Sequence, residues 1–493
     1  MTTYLQKTPE SAGISSASIE RYLRHLEAHG LATHNVLLSR GDDIVFARYW
    51  KPFDREFCHR MYSVTKSIVS LAIGFLVQDG KISLEDRLFS YFPAESAQIT
   101  DANFSALTIR NMLRMATTRS APYWFHYPDY DRVALYFQKN DTPTRPQGSY
   151  FEYDSFGSFI LGALVERVSG QTLLAYCREK FFDAIGVSDT AAFLTCPGGH
   201  SWGDSALVCR PEDLWRIARF TMNYGAWDGK QLLNRAYVQA ATTKQIDTPQ
   251  ESGIEAQGYG YQIWMGYGDA FFFNGMGCQF ALCVPSKDVI LIYNGDNQGN
   301  PTAKDVVLDG FFDLVLPEMD PDPLPEAGGA ALSLDRYARE LSLFALRGAG
   351  RSPLTEAIHG REFSLSENPM GITRIRFTFS GDGGVFSWTN AQGDKSLPFG
   401  FGYNAFAHFP QEGYSDDMGG HRTKNFYYRC AASAEFPQEN TLHLYLQVID
   451  RYFGNAHMVF TFDGDTVRVE MKKTAEDFLN EYQGSAVGTE ILA

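Results

Sequence analysis

Met61-Tyr62-Ser63-Val64-Thr65-Lys66-Ser67 is the stretch on which the reading of this chain turns. It holds the sole S-x-x-K string in the sequence and opens a helix running from residue 63 to about residue 79. That helix is apolar on nearly every side (Ile68, Val69, Leu71, Ala72, Ile73, Phe75, Leu76, Val77), and Gly80 stops it. A helix of this kind belongs in the middle of a large fold. Residues three apart share a helix face, so Lys66 Nζ comes within hydrogen-bonding reach of Ser63 Oγ. Burial withdraws water from the amine and favours its neutral form, a base. The helix start adds backbone N–H groups and positive potential beside Ser63, suited to a developing oxyanion. A chance string on a core helix is the plain alternative. An unpaired buried lysine is costly, and that cost weighs against chance.

Outward from this helix the flanks read as one fold. A helix from Ser16 through His29 precedes two strands, 35–39 and 43–50, around the turn Arg40-Gly41-Asp42. Helical periodicity dominates from 83 to 243, in segments 108–115, 155–169, 173–185 and 211–223. Strands return at 258–266, 270–274, 279–284 and 289–294, and a helix closes the region over 302–316. The expected fold class is α+β: one antiparallel sheet built from both ends of a domain spanning 1–316, flanked by helices, with a helical subdomain. PEMDPDPLPEAGG, rich in Pro, Gly and acid, places a linker at 317–331. After one helix at 332–346, short alternating runs at 374–380, 385–390, 426–431, 441–448, 457–462 and 466–471 make 332–493 a small all-β barrel or sandwich.

Composition narrows the function classes. Of 493 residues, 44% are hydrophobic and 20% charged, a globular profile. A net charge of −15 argues against nucleic-acid and anionic-membrane partners. The first residues show no basic segment followed by an apolar core, so no signal peptide is expected and the reading is cytoplasmic. Seven scattered cysteines include no C-x-x-C, and eleven histidines include no H-E-x-x-H. The expectation is reduced thiols, no metal site and no organic cofactor.

Two further stretches carry chemistry-bearing residues. Tyr153-Asp154-Ser155 precedes the helix at 156–169, where a tyrosine can relay protons or, equally, serve as a core aromatic before a cap. Phe273-Asn274-Gly275-Met276-Gly277 ends one strand and begins the next; its glycines suit either a hairpin or a ligand lying along the backbone. Gly203-Asp204-Ser205 looks like an esterase string but sits deep in the chain after a glycine loop, and no G-x-S-x-G elbow exists. The aromatic run Tyr123-Trp124-Phe125-His126-Tyr127 is a candidate roof for a pocket or a piece of core.

In order and spacing, these stretches resemble the serine β-lactamase and penicillin-binding-protein superfamily. The similarity is nearest to its class C-like esterases, D-amino-acid peptidases and 6-aminohexanoate-dimer hydrolases, over roughly residues 10–316. The runs Gly80–Asp86, Thr108–Leu113, Leu161–Gly170 and Val284–Asp288 fit as well. The resemblance implies Ser63 as acylated nucleophile, Lys66 as its base and Tyr153 as second proton relay. It also implies an oxyanion hole from the N–H groups of Ser63 and Met276, and substrate contacts at Ser155, Phe273, Asn274 and Gly275. The family's Y-x-N reads Tyr153-Asp154-Ser155 here, and its K-T-G or H-x-G reads Phe273-Asn274-Gly275, without the cation that holds a β-lactam carboxylate. This shifts the expected small-molecule substrate towards esters, amides or peptides, away from β-lactams. The trailing β-rich segment resembles the lipocalin-like extensions of some of these hydrolases. A non-catalytic binding protein keeping the same fold is the alternative, against which an intact Ser63, Lys66 and Tyr153 speak.

Overall fold

A computed structural model describes residues 7–119, 130–138, 144–415 and 423–491 of the chain, so the aromatic run at 123–127 lies outside the described residues. The chain divides into two units at Ser342/Leu343.

The first unit is built on a six-stranded antiparallel sheet. Its strands are β1 (Thr33–Arg40), β2 (Asp43–Tyr49), β3 (Trp264–Met265), β4 (Phe271–Gly275), β5 (Gln279–Val284) and β6 (Val289–Gly295), in the order β2-β1-β6-β5-β4-β3. The N-terminal hairpin thus docks on the last strand, with Val36 opposite Tyr293 and Leu38 opposite Leu291. Both ends of the domain share one sheet, as the sequence predicts.

Strand alternation sorts the two faces. Phe280 and Leu282 of β5 join Tyr22 and Leu26 of α1 (Ser16–Ala28) and Val307 and Phe311 of the helix Ala303–Leu314 in one apolar cluster. On the other face Cys283 meets the helix Pro211–Met222, its Sγ 3.9 Å from the Ala218 carbonyl. The central helix α2 (Val64–Gln78) is buried from Val64 to Leu76 and packs on β4 and on α3 (Ser155–Ser169). Gly74 of α2 lies under Tyr237, where a Cβ would come within 2.4 Å of the ring. Gly80, at φ +67°, ends α2 in the left-handed conformation that favours glycine.

The linker expected at 317–331 belongs to the first unit. Asp320 N–H donates to the Gly13 carbonyl (2.9 Å) and Leu324 N–H to the Glu10 carbonyl (2.8 Å), strapping the proline-rich stretch to the N-terminus. The helix after it, Gly328–Arg339, adds Leu334 and Ala338 to the core beside α1. The amphipathic α1 needs apolar cover on a second flank, and this helix supplies it, so the division falls about eleven residues later than the sequence suggests.

The second unit is an all-β barrel. Among the described residues nine strands run in the order Gly393–Phe401, Gly383–Asn390, Arg374–Ser380, Glu362–Leu365, Gly484–Glu490, Thr466–Thr474, Phe453–Asp463, Thr441–Ile449 and Arg429–Gln438, and a tenth, Ala405–His408, pairs with the last of them. A short parallel pairing of Gly400 with Ser433 and Phe401 with Ala434 closes the ring. Buried aromatic rings pack against one another inside this unit: Phe377 with Phe386 (5.1 Å) and Phe460 (4.8 Å), and Phe386 with Trp388 (4.8 Å). Side-chain packing of this kind is what fills small barrels.

Among the described residues all seven cysteines are free thiols, no cluster of three or more metal-ligating side chains occurs, and no helix is long and apolar enough to cross a membrane.

Candidate active site

Ser63 stands at the N-cap of α2, yet its side chain caps nothing. Lys66, one turn on, donates from Nζ to Ser63 Oγ at 2.9 Å. The approach to this pair is strained: Tyr62 sits at φ +46°, a left-handed conformation unusual for a bulky residue, and costs on the order of 1–3 kcal/mol. The Arg60 guanidinium lies over the Tyr62 ring, 4.3 Å from its centroid, and holds it there. Sharp entry into the helix presents the serine hydroxyl at the surface of a cavity of about 480 Å³, while Lys66 remains 1% exposed behind it.

Lys66 is completed by the string Gly203-Asp204-Ser205. Its Nζ also donates to the Asp204 carbonyl oxygen at 2.8 Å, and the Asp204 carboxylate lies 4.0 Å away. Gly203 and Gly162 of α3 make this possible by close backbone approach, since a Cβ on either would stand 3.2 Å from the other's Cα. Burial pushes the Asp204 carboxyl above its ordinary range, while the Lys66 charge pulls it back. Sequence reasoning set this string aside as an esterase nucleophile. In the structure it anchors Lys66.

Tyr153 lines the same cavity as Ser63, with the Lys66 ammonium 5.1 Å from its ring centroid. Its ring stacks on Trp264 at 6.0 Å and 21°. Asp154 turns away to cap α3, accepting from Gly157 N–H at 2.8 Å, and burial pushes its carboxyl up to about 6. The cap is therefore Asp154, and Ser155 is the first residue of the helix, outside the cavity lining.

The third stretch forms the β4–β5 hairpin. Gly275 is required for contact, because a Cβ there would fall 2.3 Å from the Met61 carbonyl oxygen. That contact holds the end of β4 against the start of α2. The hairpin is pinned by buried Gln279, which donates from Nε2 to the Met276 carbonyl (3.2 Å) and accepts from Asn294 Nδ2 (2.9 Å). Met276 then lines the cavity with Ser63, and neither residue's backbone N–H has a hydrogen-bond partner among the described residues.

Of the four residues expected to meet substrate, only Asn274 lines the cavity. Phe273 is fully buried, with its ring near Phe271, because alternation along β4 sends residues 271 and 273 to one face and 274 to the other. The sequence reading missed Phe151, Glu152, Glu255 and Trp264, which line the cavity as well. The aromatic texture around Tyr153 was their one available signal. Glu255 accepts from Asn274 Nδ2 at 2.9 Å and pairs with Lys304, while Glu152 pairs with Arg145 at 2.7 Å. No lysine or arginine lines the cavity among the described residues.

Comparison with known proteins places this arrangement. The curated 6-aminohexanoate-dimer hydrolase of Paenarthrobacter ureafaciens is 22% identical over 227 residues, 42% of this chain and 56% of that protein. Esterase EstB of Burkholderia gladioli is 26% identical over 172 residues, 31% of this chain and 43% of its own length. The chain thus spans about half the length of these relatives. In fold, the octameric penicillin-binding protein homologue from Pyrococcus abyssi is similar over 95% of this chain and 99% of its own, with a TM-score of 0.50 at 14% identity. The beta-lactamase family profile matches residues 19–309, which carry Ser63, Lys66, Tyr153 and the β4–β5 hairpin, and the chain belongs to that family.

Proposed function

We propose that this chain is a serine hydrolase that cleaves a small ester, amide or peptide through an acyl-enzyme on Ser63. The observation that carries the reading is the 2.9 Å contact between Lys66 Nζ and Ser63 Oγ at the mouth of a helix opening on a cavity. For the reaction the Lys66 ammonium must first give up a proton; the free amine then accepts the Ser63 proton as Oγ bonds to the substrate carbonyl carbon. The carbonyl oxygen gains negative charge between the N–H groups of Ser63 and Met276, aided by the start of α2. The bond to the leaving group then breaks, and the leaving oxygen or nitrogen receives a proton through Tyr153. Water then adds to the acyl carbon and gives one proton to Lys66; the bond from that carbon to Ser63 Oγ breaks, the proton returns to Oγ through Lys66 or Tyr153, and the acid product leaves. No step needs a metal or organic cofactor.

Substrate preference follows from the lining. A β-lactamase site meets the substrate carboxylate with a cation; here the charged lining residues are Glu152 and Glu255. The two curated relatives, a dimer hydrolase and an esterase, support an ester or amide as substrate. The test is incubation with a fluorophosphonate probe followed by intact-mass measurement. One adduct on the wild type and none on Ser63→Ala, with the same circular dichroism, supports the reading. Equal turnover by Ser63→Ala ends it.

A further inference from the structure

The orientation of one amide in the cavity wall says what the site reads. Asn274 is half-buried at the end of β4 and lines the cavity. Its Nδ2 donates to Glu255 Oε1 at 2.9 Å. A carboxylate paired with an ammonium can only accept, and Lys304 holds Glu255 from its other oxygen. The neighbours therefore settle which end of the Asn274 amide is which. The NH₂ end is committed to Glu255, and the carbonyl end, Oδ1, has no hydrogen-bond partner among the described residues. Oδ1 is not a buried orphan either, so it meets solvent on the cavity side.

A residue in this place that offers a hydroxyl or ammonium would donate to an anionic or carbonyl group on the substrate. A locked Asn carbonyl does the opposite: it accepts. The charged groups of the lining, Glu152 and Glu255, are also acceptors, and both are held by cations outside it. We infer that Asn274 Oδ1, fixed by Glu255 and Lys304, is a specificity-determining acceptor that selects substrates bearing an N–H group, as an amide or an amine, close to the scissile carbonyl. This rests on the reading of Ser63 as nucleophile. Glu255 is a positioning residue, since it acts through Asn274.

Two matched series test it, after subtraction of uncatalysed rates. The acyl-side series is p-nitrophenyl N-acetylglycinate, its N-methyl analogue and p-nitrophenyl acetoxyacetate, with one leaving group throughout. The leaving-side series is the butanoates of 4-acetamidophenol and of its N-methyl analogue. The wild type should favour the N–H member of at least one series by roughly 3- to 10-fold in kcat/KM, the worth of one hydrogen bond. Asn274→Leu should bring that ratio to about 1. Glu255→Gln, whose amide can bond to either end of Asn274, should lower the ratio without removing it. Turnover with Ser63-dependent labelling but equal rates within both series overturns the inference and leaves the hydrolase reading standing. So does a wild-type ratio that survives in Asn274→Leu. Should that variant not fold, the wild-type ratio and the Glu255→Gln ratio decide. Failure of the probe to label Ser63, with no ester turned over, overturns the hydrolase reading itself.

Discussion

Replacing Lys66 by Met separates what the lysine does for the fold from what it does for the chemistry. The Asp204 carboxylate is 1% exposed, its Oδ1 has no hydrogen-bond partner among the described residues, and the Lys66 ammonium lies 4.0 Å from Oδ2. At that distance and an effective dielectric constant of about 20, the attraction is about 4 kcal/mol. Removing one partner of a buried pair typically costs ~3–5 kcal/mol. Lys66→Met should therefore lower unfolding stability at pH 7.5 by about 3–4 kcal/mol. The Asp204 carboxyl is already raised by burial, and loss of the cation raises it further. A carboxyl raised in the folded state contributes stability that is complete below its unfolded value, about pH 4, and is lost as pH rises through the folded value. The deficit of Lys66→Met should thus shrink to less than half at pH 4.5. Adding Asp204→Asn should return about 2 kcal/mol at pH 7.5 while turnover stays at least about 100-fold down. Urea unfolding followed by tryptophan fluorescence at both pH values, on the single and double variants, measures all of this. A Lys66→Met protein as stable as wild type at pH 7.5, or a deficit that Asp204→Asn deepens, would refute the pairing.

Lys66→Arg should lose nearly all turnover on p-nitrophenyl esters, since a guanidinium does not give up its proton at accessible pH. Gly275→Ala forces a Cβ to within 2.3 Å of the Met61 carbonyl oxygen; it should cost about 1–3 kcal/mol in thermal or urea unfolding and a larger share of kcat, because the contact sets the spacing between Met276 and Ser63. Asp154→Asn keeps the cap on α3 but removes a carboxyl held at about 6, so the wild type should lose about 2–3 kcal/mol relative to the variant between pH 4 and pH 7, as read by urea titrations. Neutral short-chain p-nitrophenyl esters should exceed penicillins and cephalosporins in kcat/KM on one enzyme preparation; efficient β-lactam hydrolysis with negligible esterase activity would place a cation in the cavity that the described lining lacks.

What the sequence discloses about this molecule divides along the range of the interactions involved. α3 spans Ser155–Ser169 as its apolar run predicts, and the barrel strand Arg374–Ser380 matches its alternation, because both signals are periodic and local. The Ser63–Lys66 pair is local too: one helical turn brings them together whatever the rest of the chain does. Asn274 was half legible. Period two along β4 separates it from Phe273, and applying that rule to FFFNG identifies the polar residue, not the aromatic one, as the member that lines the cavity. The proline-rich stretch after residue 316 signals irregular backbone, and irregular backbone strapped by Gly13 and Glu10 is not a free linker.

The remaining features depend on residues far apart in the chain, which no window of sequence holds. Asp204 reaches Lys66 across 138 positions, because two glycines, 162 and 203, let a loop descend onto α3. The barrel closes through Gly400 and Ser433, a pairing that no single strand announces. Glu255 fixes the Asn274 amide, and Lys304 fixes Glu255. Reactivity and selectivity are thus encoded differently in this chain. The Ser63–Lys66 pair needs one turn of one helix, so it can persist while surrounding loops change. The orientation of the Asn274 amide depends on a relay from β4 to the segment at 254–257 to the helix at 303–314. Substituting Glu255 or Lys304 would leave the Ser63–Lys66 contact in place and release the amide it depends on. Selectivity should therefore drift faster than reactivity under substitution, and exchanges at these two positions should alter substrate ratios before they alter the rate on a substrate that makes no call on Asn274.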